Sequence, residues 1–560
     1  MGKRDISIII CIISAILWVS FWDKNTDTFF QNYFLLGVVA LAAGIYRYYL
    51  KTFRSDLSNI LLSALFSLSV LLANYDNIYN VKQWICLFIF GVVVFENCIF
   101  LLEVIITKGH DANEYSKKEK LVWRIITFVS VAGVDFYYLL NVAWPGIATV
   151  DSIAMIGFFL SGNYTNHHPY YMIRYMKVLY DISMAIWGNI NSFVALFSVI
   201  QVLVVSAFFV YFVDTMMKQK LSRVIIAVTI IGYTCLPYNI KYSVTMWKDI
   251  PFSLCLTGIM ASFLRIIRCE EQENKFDYIM MFLCTLGVGI LRNNGSYCLI
   301  VFVFALWIFR THIKKKMLLV VIVSTVLGIF MNGPMLDLLN VKPTETIESL
   351  SIPIQQVARA VVDDGYISKE QKSELNHYLP VDKVRELYYE RSSDPVKTLA
   401  LETITDENIK DFLILWAKIG LKNPVCYFKA WVDQTKGFWC AGIPNNIWWK
   451  PMIVENSLGI QSRFPDSSET NPMEEYICSF TSKSSLRLFI SIGLFIWIMF
   501  ALILIHLKRK DYSYFVMCLP LIVLWGTLLI ASPVNGEFRY IYSLFLAMPL
   551  LLFENGVAKE

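Results

Sequence analysis

Charged residues are scarce in this chain of 560 residues, in which Asp, Glu, Lys and Arg make up 17% and hydrophobic residues 56%. Soluble domains carry about a quarter charged residues, so a soluble enzyme is excluded. The formal net charge is only +5. The basic residues lie in short segments between apolar runs, as the positive-inside rule expects of a membrane protein. We therefore expect no nucleic-acid partner.

Paired cysteine motifs are also missing. The 12 cysteines form no Cys-x-x-Cys motif and no cysteine–histidine cluster with zinc spacing. Most of them lie inside apolar runs, where cysteine behaves as a small hydrophobic residue. Cys426 and Cys440 lie in a long polar region, and a disulfide between them is one interpretation if that region is extracytoplasmic. We find no convincing internal repeat and no low-complexity tract.

Long apolar runs are the dominant feature that is present. A helix needs about 20 residues to cross a bilayer. Candidate spans lie at residues 6–22, 33–50, 57–74, 84–106, 121–143, 190–213, 222–238, 245–267, 277–291, 296–310, 317–332, 485–507, 514–531 and 538–554. The region 277–310 is also compatible with a single re-entrant element. The predicted fold class is an all-α polytopic membrane protein with about fourteen transmembrane helices.

The distribution of lysine and arginine predicts a topology. If the N-terminus is cytoplasmic, the loops on that side carry clusters such as residues 314–316, whereas the short loops opposite carry single cations. The positive-inside rule then places both termini in the cytoplasm of a multi-pass cell-membrane protein. The first apolar run resembles a signal peptide but lacks a small-residue cleavage site, so we interpret it as a retained helix.

The runs divide the chain into four regions. These are a four-helix N-terminal extension (1–120), a core with an outer loop at 142–189 (121–332), a mainly helical extracytoplasmic domain (333–484) and a C-terminal three-helix segment (485–560). The third region is rich in aromatic residues, namely Trp431, Phe438, Trp439, Trp448 and Trp449. They are typical of a face at the headgroup layer or of a sugar site. A small domain core with interfacial anchors is an equally good interpretation.

Residues suited to chemistry follow the fifth run. The helix is expected to stop at Trp144–Gly146, and Asp151 and the pair His167–His168 lie in the loop beyond. A carboxylate and two imidazoles can supply a base, a phosphate partner or metal ligands. The plainer interpretation of Thr149–Ser152 is a helix cap, and that of the histidines is a surface loop.

Three further ionisable clusters are predicted at the same membrane face. They are Lys248 and Asp249 in MWKDIP, Arg292 in LRNNGS, and Glu537 and Arg539 in NGEFRY. Each alone is explained by a snorkelling cation, a local ion pair or a turn. Together, the cations suit a phosphate and the carboxylates suit a base. Asp135, near the same end of its run, is a further candidate for this site.

These motifs resemble the GT-C superfamily of integral-membrane glycosyltransferases, which includes protein O-mannosyltransferases and aminoarabinose transferases. That superfamily has an acidic residue in the first outer loop of its core, often followed by a His-Pro motif, and Asp151 and His168-Pro169 hold those places. Its late Arg-Tyr motif looks like Arg539-Tyr540. The resemblance covers roughly residues 121–332 and, more weakly, 485–554. WKDIP, RNNG and SIPIQQVAR also look like an uncharacterised group of Gram-positive bacterial membrane proteins.

The resemblance implies a GT-C-like core that transfers a sugar from a polyprenyl-phosphate carrier to an extracytoplasmic glycan, lipid or protein acceptor. Asp151 would be the general base of an inverting displacement. The donor phosphate or substrate would be bound by His167, His168, Lys248, Asp249, Arg292, Glu537, Arg539 and Tyr540. No cofactor is implied with certainty. A divalent metal is compatible with the site, although the superfamily's acidic pair is reduced here to Asp151.

Three other functions compete with this interpretation. A transporter or flippase for a lipid-linked sugar would show paired broken helices and charges near the bilayer midplane. A surface-polysaccharide polymerase or ligase would use arginines in a long outer loop. A non-catalytic membrane assembly protein would bind a partner through residues 333–484.

Overall fold

A computed structural model describes residues 37, 40–45, 56–78, 80–107, 113–268, 274–443, 445, 452–464, 471–482, 486 and 488–554. Across these residues the regular structure is helical, with only isolated β-bridges between extended segments. The all-α class is therefore confirmed. The predicted run 6–22, most of the run 33–50, and Trp448 and Trp449 lie outside the described residues.

The described helices are numbered α1 to α23 in chain order. Those before the long polar region are α1 (Leu57–Ala73), α2 (Val81–Thr107), α3 (Lys117–Asn141), α4 (Val150–Ser161), α5 (Tyr170–Trp187), α6 (Ile190–Lys218), α7 (Arg223–Cys235), α8 (Pro237–Ser243), α9 (Asp249–Ile267), α10 (Lys275–Leu291), α11 (Gly295–Ile308), α12 (Lys315–Asn332) and α13 (Pro334–Leu338). Those in the polar region are α14 (Ser351–Val362), α15 (Lys369–Tyr378), α16 (Val381–Leu387), α17 (Asp394–Lys397), α18 (Ile409–Lys422), α19 (Pro424–Thr435) and α20 (Pro472–Ser482). The last three are α21 (Ile492–Lys508), α22 (Tyr512–Ala531) and α23 (Tyr542–Leu552).

Six helical segments are long and apolar enough to cross a membrane by length and composition. They are α2, α3, α6, α9, α22 and the continuous stretch Lys315–Leu338. Helices α7 and α8 form a seventh if a pair bent by 55° is one span. Several other predicted runs form helices that are short for a hydrocarbon layer of about 30 Å, among them α1, α11 and α21. The structure thus supports a polytopic membrane protein, and the number of about fourteen spans stays a prediction.

Helix α9 is the centre of the bundle. Its residues are buried along almost the whole length, and α6, α10, α22 and α23 pack around it. A helix that is apolar on every side is stable only when it is enclosed in this way. Lys248 and Asp249 therefore lie at the N-terminal end of the most enclosed helix, and we call this end of the bundle the site end.

The region 277–310 consists of two helices rather than one re-entrant element. Helices α10 and α11 are joined by the short turn at Arg292–Asn294. Helix α10 also crosses α12 closely, and a Cβ atom on Gly289 would lie only 3.2 Å from the Gly328 Cα atom. Small residues of this kind let membrane helices approach each other. The turn at Arg292 is thereby held at the site end.

The polar region folds mainly into a helical unit with its own core. Residues of α14 to α19 bury an apolar cluster that includes Val357, Phe412 and Ile419. Beyond it, Trp431 donates from Nε1 to the Leu529 carbonyl of α22 at 2.9 Å. Phe438 and Trp439 are buried in the main core of the bundle. These aromatic residues form a packed junction with the membrane helices.

Cys426 and Cys440 do not form the disulfide that was one interpretation of the sequence. Cys426 packs beside the core of the helical unit, whereas Cys440 belongs to the core of the membrane bundle. A pairing by sequence position fails here because the two cysteines serve different hydrophobic clusters.

Candidate functional site

The predicted loop 142–189 contains two helices, α4 and α5, and Asp151 lies in the first turn of α4. The helix cap is Thr149, which forms a capping box with Ser152. The sequence prediction of a helix start within Thr149–Ser152 is therefore confirmed, but the cap is Thr149 rather than Asp151. A negative charge in the first turn of a helix is also favoured by the helix dipole.

Short backbone and side-chain contacts hold this loop against the segment before α9. The Met246 amide donates to the Ile147 carbonyl at 3.0 Å. Trp247 Nε1 donates to Thr149 Oγ1 at 2.7 Å, and Ser152 Oγ donates to the Met246 carbonyl at 2.9 Å. The start of α4 is thus placed beside the start of α9.

Two arginines and three carboxylates meet at this junction. Arg539 Nη1 lies 2.5 Å from Asp151 Oδ2 and 3.8 Å from Asp249 Oδ2. The Arg539 Nε atom lies 3.2 Å from Glu537 Oε1. Arg292 Nη1 lies 2.9 Å from Asp249 Oδ1. We call the following residues the site cluster: Asp151, Lys248, Asp249, Arg292, Glu537 and Arg539.

Asp249 is the least satisfied member of the site cluster. Its side chain is fully buried between the two guanidinium groups, and neither carboxylate oxygen accepts a hydrogen bond from any described residue. The Nε atom of Arg539 likewise makes no hydrogen bond within the described part of the chain. Buried polar atoms are nearly always hydrogen-bonded, and a bound ligand or ion is one explanation for an exception.

Lys248 joins the site cluster to the histidine pair. Its Nζ atom lies 3.1 Å from His168 Nδ1 and 3.4 Å from the His167 carbonyl oxygen. Because an ammonium group can only donate, Nδ1 of His168 is the acceptor and Nε2 carries the proton. Burial and the positive charge of Lys248 lower the pKa of His168 to about 3. His168 is therefore a neutral donor at pH 7, and the His167 ring is exposed beside it.

The charge of Asp151 is also fixed by its neighbours. Burial alone would raise the pKa of Asp151, but the positive charges of Arg539 and Lys248 outweigh it and hold this pKa well below its usual range. Asp151 is ionised in the free protein, and a carboxylate so strongly stabilised is a weak base. It becomes a stronger base only if Arg539 is drawn away.

Aromatic rings fix the two arginines. The Arg539 guanidinium carbon lies 4.5 Å from the centre of the Trp247 ring and 5.2 Å from that of Tyr540. The guanidinium carbon of Arg292 lies 5.1 Å from the centre of the Tyr540 ring. Arg292 Nη1 also donates a hydrogen bond to the Tyr540 carbonyl at 3.2 Å. Tyr540 is thus shared by both arginines. Cation–π contacts of this kind hold a guanidinium without neutralising its charge.

Several helices begin at the site cluster. Asp151 and Asp249 are in the first turns of α4 and α9, Arg292 precedes α11, and Arg539 lies in the 3-10 helix that leads into α23. Helix N-termini present unpaired amide groups and a positive dipole end. The three cations of the site cluster are matched by its three carboxylates, so the helix N-termini add the positive potential that favours an anion at this end of the bundle.

The structure brings the sequence-predicted site residues together, with the exception of Asp135. Every cation and carboxylate of the set contacts another member, and His167 adds its carbonyl oxygen and a ring 4.7 Å from that of His168. Asp135 does not join them, because it is buried within α3 beside Ser243. The tryptophan at position 247 was missed, although it directly precedes Lys248 in MWKDIP.

The helical unit of the polar region also reaches the site. The ion pair between Lys397 Nζ and Glu348 Oε2, at 2.8 Å, lies close enough to His167 to act electrostatically on its ring. The sequence contains no signal for this contact, since the two residues are far apart in the chain and belong to a region of ordinary polar composition.

The carboxylates of the site cluster are not among the described side chains that converge as a possible group of metal ligands. Among the described residues, one group of three His, Asp or Glu side chains has ligand atoms within 4.8 Å of one another, namely His506, Asp511 and Glu554. Arg268 at the far end of α9 already contacts both of its carboxylates. At the site cluster each carboxylate instead faces an arginine.

Comparison with known proteins identifies a family for this chain. Residues 161–560 match the model of a family described as "Family of unknown function (DUF6020)", which is well over half of the chain. The chain belongs to the DUF6020 family. No curated protein and no solved structure matches it. The DUF6020 match contains every residue of the site cluster except Asp151, which precedes it.

Proposed function

We propose that this DUF6020 protein is a membrane glycosyltransferase of the GT-C type, which moves a sugar from a polyprenyl-phosphate carrier to a glycan, lipid or protein acceptor. The observation that supports it best is the site cluster itself. Three cations, three carboxylates and several helix N-termini meet at one end of an apolar bundle. A polyprenyl phosphate keeps its tail in lipid and its phosphate at the headgroup level, which is the level of helix ends.

The electrostatics of the site cluster favour a phosphate as ligand. Arg292 and Arg539 present planar guanidinium groups, which bind phosphate oxygens in pairs, and Lys248 adds a point charge. Asp249 holds the two arginines without saturating them, because its oxygens accept no hydrogen bond from the described residues. These donors would stabilise the phosphate as negative charge develops on the leaving group.

The reaction follows from an exchange of ion pairs. A donor phosphate would compete with Asp151 for Arg539, so that Asp151 loses its partner and becomes a stronger base. The acceptor hydroxyl then attacks the anomeric carbon while the bond from that carbon to the phosphate oxygen breaks. The hydroxyl proton passes to Asp151, and polyprenyl phosphate leaves with the electron pair. This is a single displacement with inversion, and donor binding itself activates the base.

The expected orientation is part of the proposal. The positive-inside rule places both termini in the cytoplasm and the site end on the extracytoplasmic face, where the helical unit of the polar region covers it. Lipid-linked sugars are used for surface glycans on that face, which agrees with the proposed donor and acceptor classes.

The decisive experiment measures transfer of labelled sugar from a panel of polyprenyl-phosphate donors by the full-length protein in lipid nanodiscs. Asp151→Asn should lower transfer by about 10²–10⁴, the range for loss of a general base. The matched control is Asp181→Asn, which removes a carboxylate from an exposed ion pair with Lys177. Transfer by wild type and control but not by Asp151→Asn supports the proposal.

Three other outcomes would change it. No transfer by wild type with a broad donor panel would contradict the proposed activity. Equal transfer by wild type and Asp151→Asn would keep the activity and remove Asp151 as base, with Asp249 the next candidate. Loss of transfer in a chelator, with recovery on adding a divalent cation, would add a metal to the mechanism.

A flippase for lipid-linked sugar is the second candidate, because one observation favours it. Helices α7 and α8 are bent by 55° at Leu236, and α8 leads directly into the segment that carries Lys248. Broken helices beside a binding site are typical of transporters. A flippase would move a fluorescent lipid-linked sugar between the leaflets of a proteoliposome without any acceptor, whereas the proposed transferase would not.

A further inference from the structure

A corner of the helical unit, away from the site cluster, exposes apolar side chains next to lysines. It lies where α18 meets α19, and Asn423 between these helices accepts a hydrogen bond from the Tyr366 amide at 2.7 Å. The exposed fractions are 85% for Leu421, 64% for Val425, 47% for Phe428 and 64% for Tyr366. With Lys418 and Lys422 these residues form a surface that we call the lysine corner. Single exposed apolar residues are ordinary, but a contiguous group needs a partner.

The apolar residues of the lysine corner are not part of the core of the helical unit. The opposite faces of the same helices are buried, at Phe412, Leu415 and Ile419 in α18 and at Tyr427 in α19. Folding of the unit therefore explains one apolar face of α18 and not the other. Leu421 and Lys418 lie on the same face, since they are three residues apart in a helix.

Helix α19 fixes the height of the lysine corner relative to the membrane helices. Trp431 binds the Leu529 carbonyl in the last turn of α22, which is a candidate span. Further on, the Phe438 carbonyl accepts from Trp525 Nε1 at 2.8 Å, one turn deeper in α22. The chain thus descends into the level of the membrane helices from Pro424 to Phe438.

A simple length argument then limits how far the lysine corner can stand above the bilayer. With a rise of 1.5 Å per residue, Phe428 is about 4–5 Å and Val425 about 9 Å from Trp431 along the helix axis, whatever its tilt. The polar headgroup layer is about 5–8 Å thick on each side of the hydrocarbon core. With the last turn of the candidate span α22 at the edge of the hydrocarbon core, Phe428 and Val425 lie within or next to that layer.

We propose that the lysine corner binds the lipid headgroup layer of the leaflet at the site end. Leu421, Val425 and Phe428 insert among the headgroups, and Lys418 and Lys422 contact the phosphates of acidic phospholipids. Apolar side chains flanked by lysines at this depth are the pattern of an interfacial helix. The contact is continuous with the membrane junction made by Trp431, which argues for lipid rather than a protein partner as the occupant.

The binding would also fix the helical unit over the site cluster. The same unit touches the bundle a second time, where the Ser393 amide donates to the Pro533 carbonyl at 2.9 Å, just before Glu537. With one attachment at Pro533 and another at the lysine corner, the unit has little freedom to tilt. The proposal does not depend on the activity of the site cluster.

The test places an environment-sensitive fluorescent amino acid at Leu421 or Phe428 of the full-length protein in nanodiscs. The nanodiscs contain phosphatidylcholine with or without phosphatidylglycerol, plus a lipid that carries a nitroxide quencher on its headgroup. The control label is at Glu374, an exposed position on the polar helix α15 of the same unit. We expect several-fold stronger lipid quenching at Leu421 and Phe428 than at Glu374. It should rise with phosphatidylglycerol and fall in the Lys418→Gln, Lys422→Gln variant.

Each other outcome overturns the proposal or part of it. Quenching at Leu421 and Phe428 no stronger than at Glu374 would mean that the lysine corner stands clear of lipid. Labels shielded from both the nitroxide lipid and aqueous iodide would show that protein, such as a second copy of the chain, covers the surface. Strong quenching that ignores phosphatidylglycerol and the lysine substitutions would remove the role assigned to acidic lipid.

Discussion

The two ends of helix α9 carry ionic clusters of different kinds. At the end away from the site, Arg265 donates to Asp277 Oδ1 at 2.6 Å and to Asp214 Oδ2 at 2.9 Å, and Arg124 donates to Asp214 at 2.8 Å. We call these four residues the paired cluster. At the site end, four arginine–carboxylate contacts lie within 4 Å, but only that between Arg539 and Asp151 is a hydrogen bond.

The two clusters differ in the hydrogen bonds that their buried carboxylates receive, rather than in the kinds of charge that they contain. In the paired cluster the buried carboxylates receive arginine hydrogen bonds, which is the condition for a buried ion pair to be tolerated. In the site cluster Asp249 is as deeply buried and receives none from the described residues. The carboxylates of the paired cluster are thus both ion-paired and hydrogen-bonded, whereas Asp249 is ion-paired with Arg292 but receives no hydrogen bond from the described residues. We infer that the site cluster is arranged for a ligand and the paired cluster for stability.

The largest effect should come from breaking the paired cluster. Arg265→Met would leave Asp214 and Asp277 buried without their common partner, at a cost of about 3–5 kcal/mol of stability. We expect a strong fall in the yield and thermal stability of the protein, with transfer per folded molecule retained. Adding Asp214→Asn and Asp277→Asn should recover much of the stability. If transfer per folded molecule also falls strongly, the paired cluster has a role in activity as well as in stability.

The next largest effect should come from the site cluster, and it should appear in activity. Arg539→Lys keeps the charge but loses the planar fork that contacts three carboxylates, so transfer should fall by about 10²–10³. Thermal stability should change little, because Arg539 makes only one hydrogen bond to these carboxylates. Labelled-sugar transfer and thermal unfolding in nanodiscs measure both. If Arg539→Lys loses thermal stability but keeps its transfer activity, the site cluster serves stability, and the contrast with the paired cluster is wrong.

The sequence predicted the contents of the site cluster but not its internal order. Lys248, Arg292 and Arg539 were recognisable because each charge stands at the edge of an apolar run, where a helix end is expected. Their pairing depends on how α9, α11 and α23 pack, which no local pattern encodes. The unsatisfied state of Asp249 is therefore visible only in three dimensions.

The same limit applies to the fold. Hydrophobicity identified nearly every described bundle helix, but it did not reveal the length of α4 and α5 within 142–189. The segments of α4 and α5 were read as an outer loop, because they are too short or too polar for a span. The lysine corner was hidden for a similar reason. The amphipathic pattern of α18 was clear, but a sequence does not say which apolar positions remain exposed.

A smaller effect concerns the pH dependence of stability at His168. Its folded pKa is lowered to about 3, against an ordinary value of about 6.5. Between these values the unfolded chain binds the proton and the folded protein does not, so stability should be complete above about pH 6.5 and fall as the pH decreases. His168→Gln should flatten this slope between pH 7 and 4. Lys248→Met should flatten it partly, because a neighbouring positive charge is removed. Identical slopes in thermal unfolding of wild type and His168→Gln would contradict the neutral, buried state of this histidine.

The smallest effect should come from the exposed ion pair of Lys177 and Asp181 on α5. Its 2.6 Å distance nearly equals the 2.5 Å between Arg539 and Asp151, but the Asp181 side chain is 55% exposed and that of Asp151 32%. Solvent screens such a pair, so Asp181→Asn should cost less than about 0.5 kcal/mol and leave transfer unchanged. The same chemical change at Asp151 should lower transfer by orders of magnitude, because it removes the proposed general base. If both substitutions lower transfer equally, loss of an aspartate charge has a general effect on the protein, and the distinction between the site cluster and an ordinary ion pair fails.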